Sequence, residues 1–215
     1  MPIASSKCPL CDARKPSRVC PARGDVICSS CCGQHREETI RCPLDCSHLR
    51  EARKREALRD LDPKTLPYCE IVLSQDYLEQ NARLGYFLGE ALWLAARAEP
   101  ACVDSDLREA LDALIQTYRT LQSGLIYEAR PSNPYAAGIA SHVRARIAEL
   151  EEKLRSYPEV PKLKDADILK MLVFFQRTEL QVANGRRHGR NFLDVLRRNH
   201  QQPDATATPG ESPLA

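Results

Sequence analysis

Eight of the ten cysteines lie within the first 46 residues, as Cys8-x2-Cys11, Cys20, Cys28-x2-Cys31-Cys32 and Cys42-x3-Cys46, with His35 and His48 close by. A zinc ion takes four soft or borderline ligands in a tetrahedron, and a Cys-x2-Cys pair offers two of them from one tight backbone knuckle. Two knuckles and four further thiol or imidazole groups make two sites. In Cys8-Pro9-Leu10-Cys11 the proline fixes φ where the chain bends around an ion, and in Cys28-Ser29-Ser30-Cys31 the serines suit a helix start. The spacing therefore predicts a knuckle, a short hairpin and a helix N-terminus. From Asp12 to Ile27 the apolar residues are little more than Val19, Val26 and Ile27, too few to bury a core. Structural zinc contributes about 10–16 kcal/mol of apparent binding free energy in finger peptides, so this segment is expected to unfold without metal.

The spacing over residues 8–46 resembles the HIT-type and MYND-type fingers and, more loosely, B-boxes, which are two-zinc cross-brace modules with interleaved ligands. Cys8 and Cys11 match the first pair of that pattern, Cys20 opens the second, Cys28-Ser29 matches the helix start, and His35 and Cys42 match the closing His and Cys. Arg23 stands where the second pair has its other cysteine, so Cys46 or Cys32 has to replace it. The family's three-residue spacing at the helix start selects Cys32, whereas the distance to His35 selects Cys31. The assignment adopted is Cys8, Cys11, Cys28 and Cys31 at one ion and Cys20, His35, Cys42 and Cys46 at the other. Cys32 and His48 stand in reserve.

Other uses of the sulfurs fit less well. Met1 to Lys7 is short and mixed and does not read as a signal peptide, so an intracellular, cytoplasmic setting is expected and disulfides are not. An iron–sulfur cluster uses similar thiolates, and spacing alone does not separate it from zinc. A catalytic zinc keeps an open position, whereas there are enough sulfurs here to close both spheres, and no nucleophile or catalytic set is evident. Cys69 and Cys102 have no partner at metal spacing and read as small buried hydrophobes.

The remainder reads as helical. Ser47 can cap a short basic helix running through Leu49 to Leu61, followed by a proline-marked linker from Asp62 to about Tyr68. One apolar helix is expected from Ser74 or Asp76 to Ala98, too interrupted by Glu79, Arg83, Glu90 and Arg97 to span a bilayer. Leu107, Leu111, Leu114, Ile115, Tyr118, Leu121 and Leu125 form one helical stripe, and Tyr135, Ile139, Val143, Ile147, Leu150 and Leu154 a second. Joined by Arg130-Pro131-Ser132-Asn133-Pro134, the two should pack as an antiparallel hairpin. Pro158 and Pro161 end it. Asp165 caps a helix carrying Ile168 to Leu180, Asn184-Gly185 stops that helix, and Phe192 to Leu196 mark the last one. The fold class expected is all-α: a treble-clef or cross-brace zinc module at 1–48, a basic helix and linker at 49–68, a bundle of about five helices at 69–200 and a disordered tail at 201–215.

Charge bears on partners. From Arg186 to His200 there are five arginines against Asp194 alone. The junction Arg186, Arg187, His188 and Arg190 could cradle an anion through backbone donors and guanidinium forks; alternatively Arg197 and Arg198 simply answer a helix dipole. The chain as a whole is only +2, far from a dedicated nucleic-acid binder, and two zinc ions on seven thiolates would bring residues 1–46 to about −1. The sequence thus points to a zinc-binding adaptor whose finger contacts a protein partner while the bundle positions or dimerises it. The alternative is a nucleic-acid-binding regulator using Arg186 to Arg198. No membrane association and no enzymatic role are expected.

Overall fold

Residues 7–157, 159 and 161–200 are described by a computed structural model. Pro158 and the tail expected at 201–215 lie outside the described residues.

The amino-terminal module opens with a hairpin of β1 (Arg18–Cys20) and β2 (Asp25–Ile27), antiparallel with Val19 opposite Val26. Its turn closes because the amides of Arg23 and Gly24 both donate to the Cys20 carbonyl. Gly24 takes φ 71° there, a left-handed conformation that costs glycine least. Helix α1 (Ser29–His35) follows at once, and Cys28 serves as its N-cap, accepting from the Cys31 amide. After α1 the chain turns back through Glu37 at φ 53°, with the His35 carbonyl accepting from the amides of Glu38, Thr39 and Ile40. The expected order of knuckle, hairpin and helix start is present.

Helix α2 (Ser47–Arg53) is shorter than the stretch to Leu61 that the sequence suggested, and Cys46 rather than Ser47 occupies its N-cap position. Leu49 is its one buried residue, so no apolar stripe carries it onward. The chain then runs without regular structure to Ser74, held to the bundle where the Arg59 amide donates to the Gln181 carbonyl and the Arg177 guanidinium to the carbonyls of Tyr68 and Ile71.

The expected single helix to Ala98 is two, α3 (Gln75–Gln80) and α4 (Ala82–Arg97). They break at Asn81, whose side-chain amide donates to the Tyr77 carbonyl, while the Tyr77 hydroxyl donates to the Asp167 carbonyl and ties α3 down. Helices α5 (Asp104–Gln122), α6 (Pro134–Arg155), α7 (Asp165–Val182) and α8 (Asn191–His200) complete the bundle. α5 packs against α6, α7 and α8, and α4 against the same three. The middles of the predicted stripes face inward: Leu107, Leu111, Leu114 and Ile115 meet Ile139, Val143 and Ile147, with Leu88, Leu92, Ile168, Leu172 and Phe192 in the same core. Tyr135, read as the start of the second stripe, is exposed, and Leu150 and Leu154 are half-buried. Leu125, read as the end of the first stripe, lies beyond α5 and is exposed because Gly124, at φ 75°, turns the chain away.

Polar groups fix how these helices meet. Arg108 on α5 forms a two-pronged ion pair with the fully buried Glu179 on α7, at 2.7 and 2.8 Å, and one turn away the Gln176 amide donates to Asp112. Asp104 at the start of α5 accepts from the amides of Phe192 and Leu193, both at 3.0 Å, and so caps α8 from another element.

Candidate metal centre

The first quartet of sulfurs is assembled by the hairpin. Cys8 and Cys11 sit on a loop closed by the Cys8 amide donating to Arg14 and the Asp12 amide donating to Cys8, with Asp12 at φ 47°. Cys28 and Cys31 come from the first turn of α1, and the Cys28 amide donates to the Cys8 sulfur at 3.2 Å. The ligand atoms of Cys8, Cys11, Cys28 and Cys31 all lie within 4.8 Å of one another, so these four cysteines are close enough to hold one metal ion. They are the four the sequence grouped, and the choice at the helix start falls on Cys31.

The thiols themselves favour a cation. Burial raises the Cys8 thiol, but amide donors from Cys28, Leu10 and Cys11 outweigh it and bring it down to about 6. Cys31 goes the other way, pushed up to about 12 by burial and the neighbouring sulfurs. Thiolates packed this closely cannot all ionise beside one another, and a divalent ion removes the conflict.

The other sulfurs gather beside the hairpin in a second group. Cys20, Cys32, Cys42 and Cys46 line one small cavity, together with Ile27 and Ile40. Cys20, Cys42 and Cys46 are buried and Cys32 half-buried, and burial raises the Cys42 thiol. Among the described residues only the first quartet has its ligand atoms within 4.8 Å of each other. His35, assigned to the second ion from the sequence, is not on this wall; its Nδ1 lies 2.8 Å from the Thr39 hydroxyl. Two reserve residues are on it: Cys32, whose sulfur lies 3.7 Å from an Arg36 guanidinium nitrogen, and His48.

The basic junction after α7 does collect an anion, and the anion is Glu37 of the same chain. Glu37 is fully buried. Its Oε1 accepts from Arg53 at 2.6 Å and from the Arg190 amide at 3.1 Å, its Oε2 from Asn184 at 2.8 Å, and its carbonyl from the His188 amide at 2.7 Å. Arg186 spans the end of α1, donating to the carbonyls of Gly33 and Arg36. The Arg187 amide reaches Glu38, and the Arg190 side chain donates to the Pro100 carbonyl. Arg53 also pairs with Asp194 on α8 at 3.2 Å, where Arg197 and Arg198 converge as well. The residues read as a cradle for an outside anion thus dock the cysteine module on the bundle. Glu37, Arg53 and Asn184 carry this junction, and nothing in their spacing announces it, since a charged residue in a turn reads as solvated.

No family model matches the chain, and neither does any curated protein or solved structure compared with it. Among the described residues no helix is long and apolar enough to cross a membrane.

Proposed function

We propose that this chain is a two-zinc adaptor: one ion held by Cys8, Cys11, Cys28 and Cys31, a second by Cys20, Cys32, Cys42 and Cys46, and the module so formed presented by the bundle to a protein partner. The observation that carries this reading is the all-sulfur, largely buried first quartet. Four thiolates complete a tetrahedron and leave no position for water or substrate, as in structural rather than catalytic sites. Zinc would then supply fixed geometry, with α1, the hairpin and the turn at Glu37 held relative to one another. For the second ion, Cys32 replaces His35 because it shares the cavity wall with Cys20, Cys42 and Cys46. The contacts of Glu37 and Arg186 support a rigid presentation, since they join the module to the loop between α7 and α8.

Native mass spectrometry of the full chain tests the metal assignment. Two zinc ions per chain are expected, one fewer in Cys32→Ser, and two still in His35→Ala. A single ion in the parent, or loss of one in His35→Ala alone, overturns it. Affinity capture with the zinc-loaded chain beside Cys28→Ser tests the adaptor role: a partner retained equally by both places recognition outside the module.

A further inference from the structure

A groove of about 440 Å³ opens between β1, the end of α1 and α2, lined by Arg18, Arg36, His48, Glu51, Ala52 and Arg55. Its three guanidinium groups come from three separate stretches of chain. Among the described residues none of them forms an ion pair, in contrast to Arg53 and Arg197, which are committed to buried carboxylates. The acid on the rim, Glu51, is hydrogen-bonded by Lys54 at 2.7 Å and also lies in the positive field of Arg55. Arg36 has a thiol to answer, its guanidinium lying 3.7 Å from the Cys32 sulfur. Arg18 and Arg55 have no side-chain acceptor among the described residues. Like charges converging on one open recess raise its potential and concentrate anions there.

The kind of anion follows from the walls. Planar guanidinium forks match the oxygens of a phosphate, and donors converging from several directions suit a dianion better than a single carboxylate. No Phe, Tyr or Trp lines the groove, and the His48 imidazole is its one ring, so it offers no run of stacking platforms for successive bases. The adjoining recess, formed by Ser17, Val19, Pro21, Asp45, Cys46, Ser47 and His48, has no lysine or arginine and carries Asp45, so the basic track stops on that side. A long polyanion, which needs successive phosphate contacts, has no continuation there, whereas a compact one needs none.

We propose that this groove binds the phosphate dianion of a small phosphorylated molecule, gripped by Arg18 and Arg55 with Arg36 behind. The assignment is independent of the adaptor reading, because it rests on the arginines and not on the second ion. Phosphorus NMR titration of inorganic phosphate and of glycerol 2-phosphate into the zinc-loaded full chain, at constant ionic strength, is the test. Saturable binding is expected, weakened about tenfold by Arg18→Ala and again by Arg55→Ala, with zinc content and circular dichroism unchanged. The proposal is overturned by the absence of saturable binding or by variants that bind like the parent. Variants that shed zinc overturn it too, since the arginines would then serve only the thiolates. So does a short single-stranded DNA that binds more tightly than the monoester with steep salt dependence.

Discussion

The cysteine module and the helical bundle each exclude water from a core, but with different materials. The module's core consists of six cysteines with Ile27, Ile40 and Leu49, whereas the bundle's holds leucines, isoleucines, valines and phenylalanines drawn from five helices. Burying one large aliphatic side chain is worth about 1.5–3 kcal/mol, and fixing one residue's backbone costs about 1–2 kcal/mol. Three such side chains cannot order a segment of this length, and a packed stripe on every helix can. Burial alone is therefore a poor guide to what holds a region together: Cys102 packs in the bundle as one small apolar group among many, whereas a core made mostly of sulfur has too little aliphatic surface to stand without an ion.

The sharpest way to break this comparison is to remove metal. Treating the full chain with a strong chelator, or replacing Cys28 with serine, should forfeit a contribution on the order of 10 kcal/mol and open residues 7–53 to protease. The bundle should persist, and the only tryptophan, Trp93, reports on it from within α4. Proteolysis followed by mass analysis, with Trp93 fluorescence read in parallel, checks both halves. Simultaneous loss of the two signals would mean that module and bundle form one cooperative unit held by the same forces.

A smaller perturbation acts where the regions meet. Glu37→Gln keeps the shape of the side chain and removes the charge that faces Arg53, itself 9% exposed. Disturbing one member of a buried, hydrogen-bonded ion pair typically costs about 3–5 kcal/mol. The expected result is a loosened junction with the metal retained: faster amide exchange over residues 184–190, a lower denaturation midpoint and unchanged zinc content. Loss of zinc in this variant would show that the junction, and not the ion, organises the turn after α1.

The two regions also differ in how far their sequences can be read. Helical stripes such as Leu107–Leu111–Leu114 and Ile139–Val143–Ile147 are periodic, local signals, and they point inward as their spacing requires. Cys-x2-Cys pairs are local as well, and Cys8, Cys11, Cys28 and Cys31 come together as read. What the sequence concealed depends on side chains meeting across many residues. Spacing favours His35 for the second ion and leaves Cys32 in reserve, whereas Cys32 lines the cavity shared with Cys20 and Cys46 and His35 Nδ1 lies 2.8 Å from the Thr39 hydroxyl, contacts that spacing does not announce. The break at Asn81 owes its hold to a tyrosine bonding to α7. Glu37 illustrates the same limit, because its donors come from α2 and from the loop after α7.

Asp104 offers the finest test, since it belongs to the bundle alone and titrates without metal. Burial pushes its carboxyl up from 3.8 to about 7, against the pull of the Leu193 and Phe192 amides, and nearby Glu179 adds to the rise. The folded chain therefore keeps a proton that the unfolded chain gives up above its ordinary carboxylate range. The stability tied to that proton is fully present below the unfolded value of 3.8 and falls as pH rises toward and through about 7. One extra bound proton gives a slope of at most about 1.4 kcal/mol per pH unit. Denaturant unfolding followed by Trp93 fluorescence, at a series of pH values, should show this slope in the parent and its loss in Asp104→Asn. Acid also strips thiolate-bound metal, but both chains share that titration, so the difference between their curves isolates the carboxyl. Parallel curves for the two proteins would mean that the amides of α8 hold Asp104 ionised in the fold, and that capping outweighs burial at this helix start.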